Sequence, residues 1–203
     1  MGMEMAAARL LLPFYGDSHL VWANLIGVVL AALSGGYYAG GRLADRVPSA
    51  RLLVVLMGAA GLWIAAIPRA GQVLLPAMAR GLPPSQAALV GGSLVAVVAL
   101  FALPAFFLGC VLPAVIRLSL ADVELGGRIA GRTYAVLTVG SMVGTFVPVL
   151  WLMPVYGVRS TFAATAGMLL VVATIGVIAS ARIGRSASIE ESALKDFEQE
   201  VRS

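Results

Sequence analysis

The chain holds 203 residues, 60% of them hydrophobic and 12% charged, with a net charge of +4 and a mean hydropathy of +0.96. A water-soluble globular domain carries about 25% charged residues, so this composition excludes one and predicts a chain solvated by lipid. Cys110 is the only cysteine, which excludes a disulfide framework and predicts an inert, packed thiol.

The first apolar run, residues 5–15, contains Arg9 and Pro13 and stops at Gly16-Asp17. It is shorter than the roughly 20 residues that cross a bilayer. Three explanations stay open: the remnant of a longer first helix, a re-entrant or interfacial piece, or a natural start lying upstream. A cleaved signal peptide fits poorly, because Glu4 stands where a basic start belongs and no small-residue cleavage site follows.

Five longer runs follow, at residues 20–43, 51–68, 88–119, 129–153 and 159–181. They are apolar on every face, as lipid-exposed helices are, and lack the alternation of barrel strands. The predicted fold is therefore an all-α integral membrane bundle of about six helices, the first one short, over residues 1–185. Pro104 and Pro113 interrupt the third long run, as kinks or as breaks that expose backbone carbonyls.

Thirteen of the 14 basic residues are arginines, and they alternate between loops. Arg42, Arg46, Arg51, Arg117, Arg128, Arg132, Arg182 and Arg185 fall on one side, whereas Arg69, Arg80 and Arg159 fall on the other. The positive-inside rule makes the richer side cytoplasmic and puts the C-terminus there, in a multi-pass protein of the inner or plasma membrane. Topology and the lipid bilayer then account for the net charge, and no nucleic acid is needed. Residues 186–203 change character, with five acidic residues and an apolar stripe that includes Ile189, Leu194 and Phe197. They predict a cytoplasmic, acidic amphipathic tail with Ser188 and Glu191 as a capping box, either a docking helix or a solubilising end.

The densest motif is Gly41-Arg42-Leu43-Ala44-Asp45-Arg46, preceded by Gly35-Gly36-Tyr37-Tyr38-Ala39-Gly40 and followed by Arg51. A carboxylate flanked by arginines can pair with them and with the positive start of the next helix, so Gly41, Arg42, Asp45, Arg46 and Arg51 form a candidate conformational motif. The plainer alternative is a fixed helix end with snorkelling arginines. Four-residue glycine spacings recur at Gly36/Gly40, Gly127/Gly131 and Gly140/Gly144, where helices can meet closely within one chain or between two.

Polar groups in apolar context supply the candidate substrate or ion contacts: Glu4, Arg9, Asn24, Tyr37, Tyr134, Thr138 and Ser141. Glu4 can attract a cation or carry a proton, or simply lie at the surface. Tyr37 and Tyr134 fit a cation-binding aromatic wall or ordinary interfacial tyrosines. Thr138, Ser141 and Thr145 approximate one helix stripe, either a polar path or hydroxyls bonded back to the backbone. His19 beside Asp17 and Trp22 reads as interfacial. No His, Cys and carboxylate cluster has metal-ligand spacing, so no metal and no cofactor are expected.

Residues 41–46 resemble the loop motif between the second and third helices of major facilitator superfamily transporters. Val47-Pro48-Ser49-Ala50-Arg51 departs from that pattern by lacking the usual glycine and the second adjacent basic residue. A wider similarity links the chain to the membrane region of fused major-facilitator/spermidine synthase proteins. It is carried by Ala8 to Gly16, Val21 to Gly27, Gly35 to Arg46, Pro113 to Leu118, Gly127 to Tyr134 and Leu137 to Phe146. The resemblance implies a half-transporter, 3+3 helix unit with a first helix shortened at its N-terminal end.

In that family an aminopropyltransferase domain follows the helices, with a Gly-rich nucleoside loop and acidic amine ligands; neither stands after Arg185, so no enzymatic activity is expected. Two function classes follow. One is a transporter-like unit that works as a parallel homodimer and moves a small solute, with a polyamine or related cation as the leading class. The other is a nontransporting membrane subunit whose tail recruits a separately made cytoplasmic synthase.

Overall fold

The computed structural model describes residues 1–80, 83, 85–119 and 126–202, with the side chains of residues 126 and 179–202 outside that description. Every element among the described residues is helical: α1 (Gly2–Tyr15), α2 (His19–Arg46), α3 (Ala50–Ala79), α4 (Gln86–Val97), α5 (Leu103–Ser119), α6 (Gly126–Val147) and α7 (Met153–Arg202). Two π-helical turns, Val98–Ala102 and Pro148–Leu152, join α4 to α5 and α6 to α7.

The helix starts follow from serines placed to satisfy free backbone donors. Ser18, Ser49 and Ser85 each precede a helix, and their hydroxyls accept from the amides of Leu20, Arg51 and Ala88 at 3.2, 3.2 and 3.3 Å. Both π turns sit beside a proline. Pro104 has no N–H for the Leu100 carbonyl, and Pro154 has none for that of Leu150, each carbonyl lying inside its turn, so the ladder widens locally instead of breaking. The chain reverses at Gly157, whose φ of 81° and ψ of 173° interrupt α7 and demand a residue without Cβ.

Four stretches among the described residues are long and apolar enough to cross a membrane: His19–Arg46, Ala50–Ala79, Gln86–Ser119 and Gly127–Ile178. The chain is thus an all-helical membrane protein, and its fourth stretch is divided by the reversal at Gly157. α1 has 14 residues, about 21 Å of helix, which is shorter than the roughly 30 Å hydrocarbon core. It is nevertheless a core element: Ala6, Ala7 and Leu11 are fully buried, and Met3 and Tyr15 nearly so. Residues 5–15 therefore pack into the bundle along one helix face.

Because lipid is as apolar as leucine, close packing rather than expulsion of water holds such helices together. The tightest seam joins α2 to α5, which run in the same direction. A Cβ on Gly40 would lie 2.5 Å from Cys110 Cα, and one on Gly109 would lie 2.6 Å from the Leu33 carbonyl oxygen. Gly36 opposes the Phe106 carbonyl more closely still. Cys110 is buried against this seam, as an inert packing residue would be. α3 runs antiparallel to the limb of α7 beyond Gly157, since Gly61 faces Ala166 and Leu170 while Gly176 faces Val54. Asn24 ties α2 to α4 through 2.9 Å bonds to the Val90 carbonyl and the Ser93 hydroxyl.

α6 differs from the rest. Tyr134, Val136, Val139, Met142, Val143 and Phe146 are all exposed, and nothing lies within 4 Å of a Cβ built on Gly127, Gly131 or Gly140. Only Gly144, near Met1 and Gly2, has a neighbour of that kind. α7 continues as helix to Arg202, so the backbone at Ser188 lies inside a helix rather than at the start of a separate tail helix. The tail's side chains lie outside the described residues.

Candidate functional site

α2 and α5 end side by side because their glycine seam sets a parallel register, with Gly36 opposite Gly109 and Gly40 opposite Cys110. That register brings Asp45 to Arg117, 72 positions later in the chain. The Arg117 Nε donates to the Asp45 Oδ1 at 3.2 Å, and the two side chains are 47% and 71% exposed. A pair so open to water contributes about 0–1 kcal/mol, so it can form and break at little cost.

This geometry corrects the local pairing expected from the sequence. Asp45 binds neither Arg42 nor Arg46 nor Arg51 but an arginine on another helix. The guanidinium of Arg42 instead lies 4.1 Å from the centroid of the Tyr38 ring, one turn back on α2, a cation–π contact. Arg46 and Arg51 are exposed and take part in no ion pair among the described residues. A Cβ built on Gly41 would lie 4.0 Å from the Pro113 side chain, so the motif's glycine faces α5. Arg117 was legible only as one of the basic residues on the same side; its distance along the chain hid the partnership.

At the opposite end of the bundle a cleft of about 580 Å³ opens between α1, the start of α2 and the reversal after α6. Arg9, Asp17, Trp22, Met153 and Gly157 are among its walls. The Trp22 indole N–H donates to the Asp17 carboxylate at 3.4 Å. Arg9 and Asp17 line the same cleft, and Glu4 does not. Glu4 pairs with the Met1 ammonium at 3.3 Å, and its side chain is only 16% exposed.

The remaining candidates separate. Asn24 is spent on the α2–α4 bonds described above. Tyr37 and Tyr134 sit exposed on different helices and form no ring contact among the described residues, so they build no shared aromatic wall. Thr138 and Thr145 donate to the carbonyls of Tyr134 and Ser141 at 2.8 Å, the self-satisfying pattern of hydroxyls in an apolar helix. The stripe containing Ser141 consequently presents fewer free donors than its residue types imply. Among the described residues no group of histidine, cysteine and carboxylate side chains is placed to hold a metal.

No protein-family model matches the chain, and no curated protein or solved structure matches it.

Proposed function

We propose that the chain is a transporter-like half unit: six membrane-spanning helices, of which α1 is short and the two limbs around Gly157 each cross once, arranged as a 3+3 bundle of the major-facilitator kind. Two copies assemble in parallel, as the two halves of a twelve-helix transporter do, and move a small solute between them. The Asp45 end and the C-terminus face the cytoplasm of a cell membrane. The proposal gives the chain no catalytic role: Thr133, Thr138 and Thr145 on α6 and Ser160, Thr161, Thr165 and Thr174 on α7 spend their hydroxyls on backbone carbonyls.

The observation that carries the reading is the Asp45–Arg117 pair. It ties together the ends of two helices whose middles are fixed by a rigid glycine seam, and it is exposed enough to open and close within a transport cycle. The thinly packed α6 supports a second copy, since a helix with open glycines and exposed apolar side chains still has room for a close partner.

The test is uptake of labelled putrescine and spermidine into liposomes that contain the purified protein. Uptake above empty liposomes, reduced several-fold in Asp45→Arg and recovered in Asp45→Arg/Arg117→Asp, is expected. Lack of uptake, together with no thermal stabilisation by any amine of the panel, would sink the transporter reading. A second reading, a membrane subunit that docks a cytoplasmic synthase, draws on the limb of α7 beyond Gly157, which stays helical to Arg202. Deleting residues 186–203 separates the two, because a transporter keeps uptake and a docking subunit loses its partner.

A further inference from the structure

A second cleft, of about 460 Å³, lies between α3 and the return limb of α7. The antiparallel register there puts it toward the C-terminal end of α3, the end of the bundle away from Asp45. Its polar lining consists of two guanidiniums and one amide: Arg69 and Gln72 from α3, and Arg159 from α7. Small side chains, Ala163 and Gly167 on α7, leave the space between these groups open, and Leu170 closes one apolar side. No carboxylate lines it, and neither arginine takes part in an ion pair among the described residues.

Arg69, Gln72 and Arg159 are exposed at the mouth of the cleft, so water screens the two guanidiniums in part, and an anion seated between them would remove the remaining repulsion. The two arginines are also conspicuous in the charge pattern. The face that is poor in basic residues holds three arginines between spans, and two of the three line this cleft. Planar guanidiniums offer paired N–H donors that match the oxygens of a phosphate group, and Gln72 adds a neutral donor beside them.

We propose that this cleft is a binding subsite for a phosphate group, held by Arg69 and Arg159 with Gln72 assisting. The group belongs either to an anionic lipid headgroup or to a free phosphate-bearing solute, and the site is separate from the Arg9–Asp17 cleft and from the Asp45–Arg117 pair.

The experiment uses the full chain in nanodiscs of neutral phosphatidylcholine. Thermal unfolding is followed with added inorganic phosphate, and in parallel discs with a fraction of phosphatidylglycerol. A bound anion raises the melting temperature by mass action. Stabilisation by phosphatidylglycerol alone identifies a lipid headgroup, and stabilisation by inorganic phosphate in neutral discs identifies a free anion. In either case Arg69→Gln/Arg159→Gln is expected to weaken the apparent affinity at least ten-fold. Arg80→Gln, which removes a charge from the same end but not from the cleft, should leave it unchanged. Gln72→Leu provides a milder lesion should the double variant fold poorly, and is expected to weaken binding several-fold. The proposal is overturned if neither probe stabilises the native protein, or if Arg80→Gln lowers affinity as much as the cleft variants do.

Discussion

The indole N–H of Trp63 on α3 donates to the carbonyl oxygen of Leu100, 3.1 Å away, and Leu100 is the residue whose α-helical donor falls at Pro104. A side chain from a neighbouring helix thus answers a carbonyl that the proline leaves without its usual partner, at the π turn where α4 passes into α5. In hydrocarbon no water can do this, so the bond couples the kink to the packing of α3. Trp63→Phe should lower stability by about 0.5–1.5 kcal/mol, within the range for a single hydrogen bond in a membrane bundle. Pro104→Ala restores an N–H at position 104, so the loss caused by Trp63→Phe should be smaller in that background. Thermal unfolding of the four proteins in a double-mutant cycle measures the coupling; a coupling of zero would mean that the indole answers nothing.

The glycine seams give a second contrast. Gly40→Ala places a methyl 2.5 Å from Cys110 Cα, against backbone that cannot yield, and should cost about 1–3 kcal/mol or prevent folding. Gly131→Ala meets nothing within 4 Å and should stabilise an isolated chain by about 0.5–1 kcal/mol through helix propensity. The same four-residue spacing thus predicts opposite signs, and unfolding in detergent at low protein concentration reads both.

That contrast also marks how far the sequence is readable. Apolar runs and loop charges predicted helices at 20–43, 88–119 and 129–153, close to the observed His19–Arg46, Gln86–Ser119 and the helix that ends at the Gly157 reversal. The apolar run at 51–68 is shorter than the helix that contains it, Ala50–Ala79. In the structure α3 continues through Pro68 and Pro76 to Ala79, its neighbours supplying the packing that tolerates them. Pro104 did mark an irregularity, but the widened turn sits just before it, at 98–102. Side-chain partnerships were less legible than spans. Periodicity places Asp45 at a helix end, but only the three-dimensional register of α2 against α5 selects Arg117 over three nearer arginines. Glycine spacing alone likewise does not say which pairs are filled, as Gly36 and Gly40 are, and which are open, as Gly127 and Gly131 are.

The Asp45–Arg117 pair should matter for conformation far more than for stability. Both side chains are well exposed, so Asp45→Asn or Arg117→Gln should shift the unfolding free energy by less than about 1 kcal/mol. The same substitutions should change the accessibility of a cysteine placed at Gly41, beside the pair, to a membrane-impermeant thiol reagent. Equal labelling rates in the native pair and in both variants would show that the ion pair holds nothing in place. Raised salt should mimic the variants, because an exposed pair is screened over about 10 Å at 0.1 M.

The tyrosine that ends α1 offers a test of packing without polarity. Tyr15 is 3% exposed, and its hydroxyl is the buried side-chain polar atom that lacks a hydrogen-bond partner among the described residues. Removing an unpaired buried hydroxyl while keeping the ring relieves a desolvation cost of about 1–3 kcal/mol at most. Tyr15→Phe should therefore be neutral or stabilising, whereas Tyr15→Ala should destabilise strongly by opening a cavity in the core around Leu11 and Val21. A drop in melting temperature for Tyr15→Phe would reveal that the hydroxyl is bonded in the folded protein.

If two copies assemble through α6, a cysteine on that helix should cross-link, and its position should report the face. Gly131 and Gly140 are nine residues apart, about half a turn out of phase at 100° per residue, so they lie on opposite faces of α6. Neither has a neighbour within 4 Å, and the native Cys110 is buried against α2, so the background should stay silent to oxidant. Gly140 lies one turn before Gly144, the residue that meets α1, which biases its face toward the chain's own bundle. Gly131→Cys should thus form the disulfide dimer in membranes, Gly140→Cys should form less, and Leu30→Cys, exposed on α2, should form none. Monomer alone from both α6 positions would remove the dimer from the proposed mechanism, and a half unit without its second copy has no second bundle against which to rock.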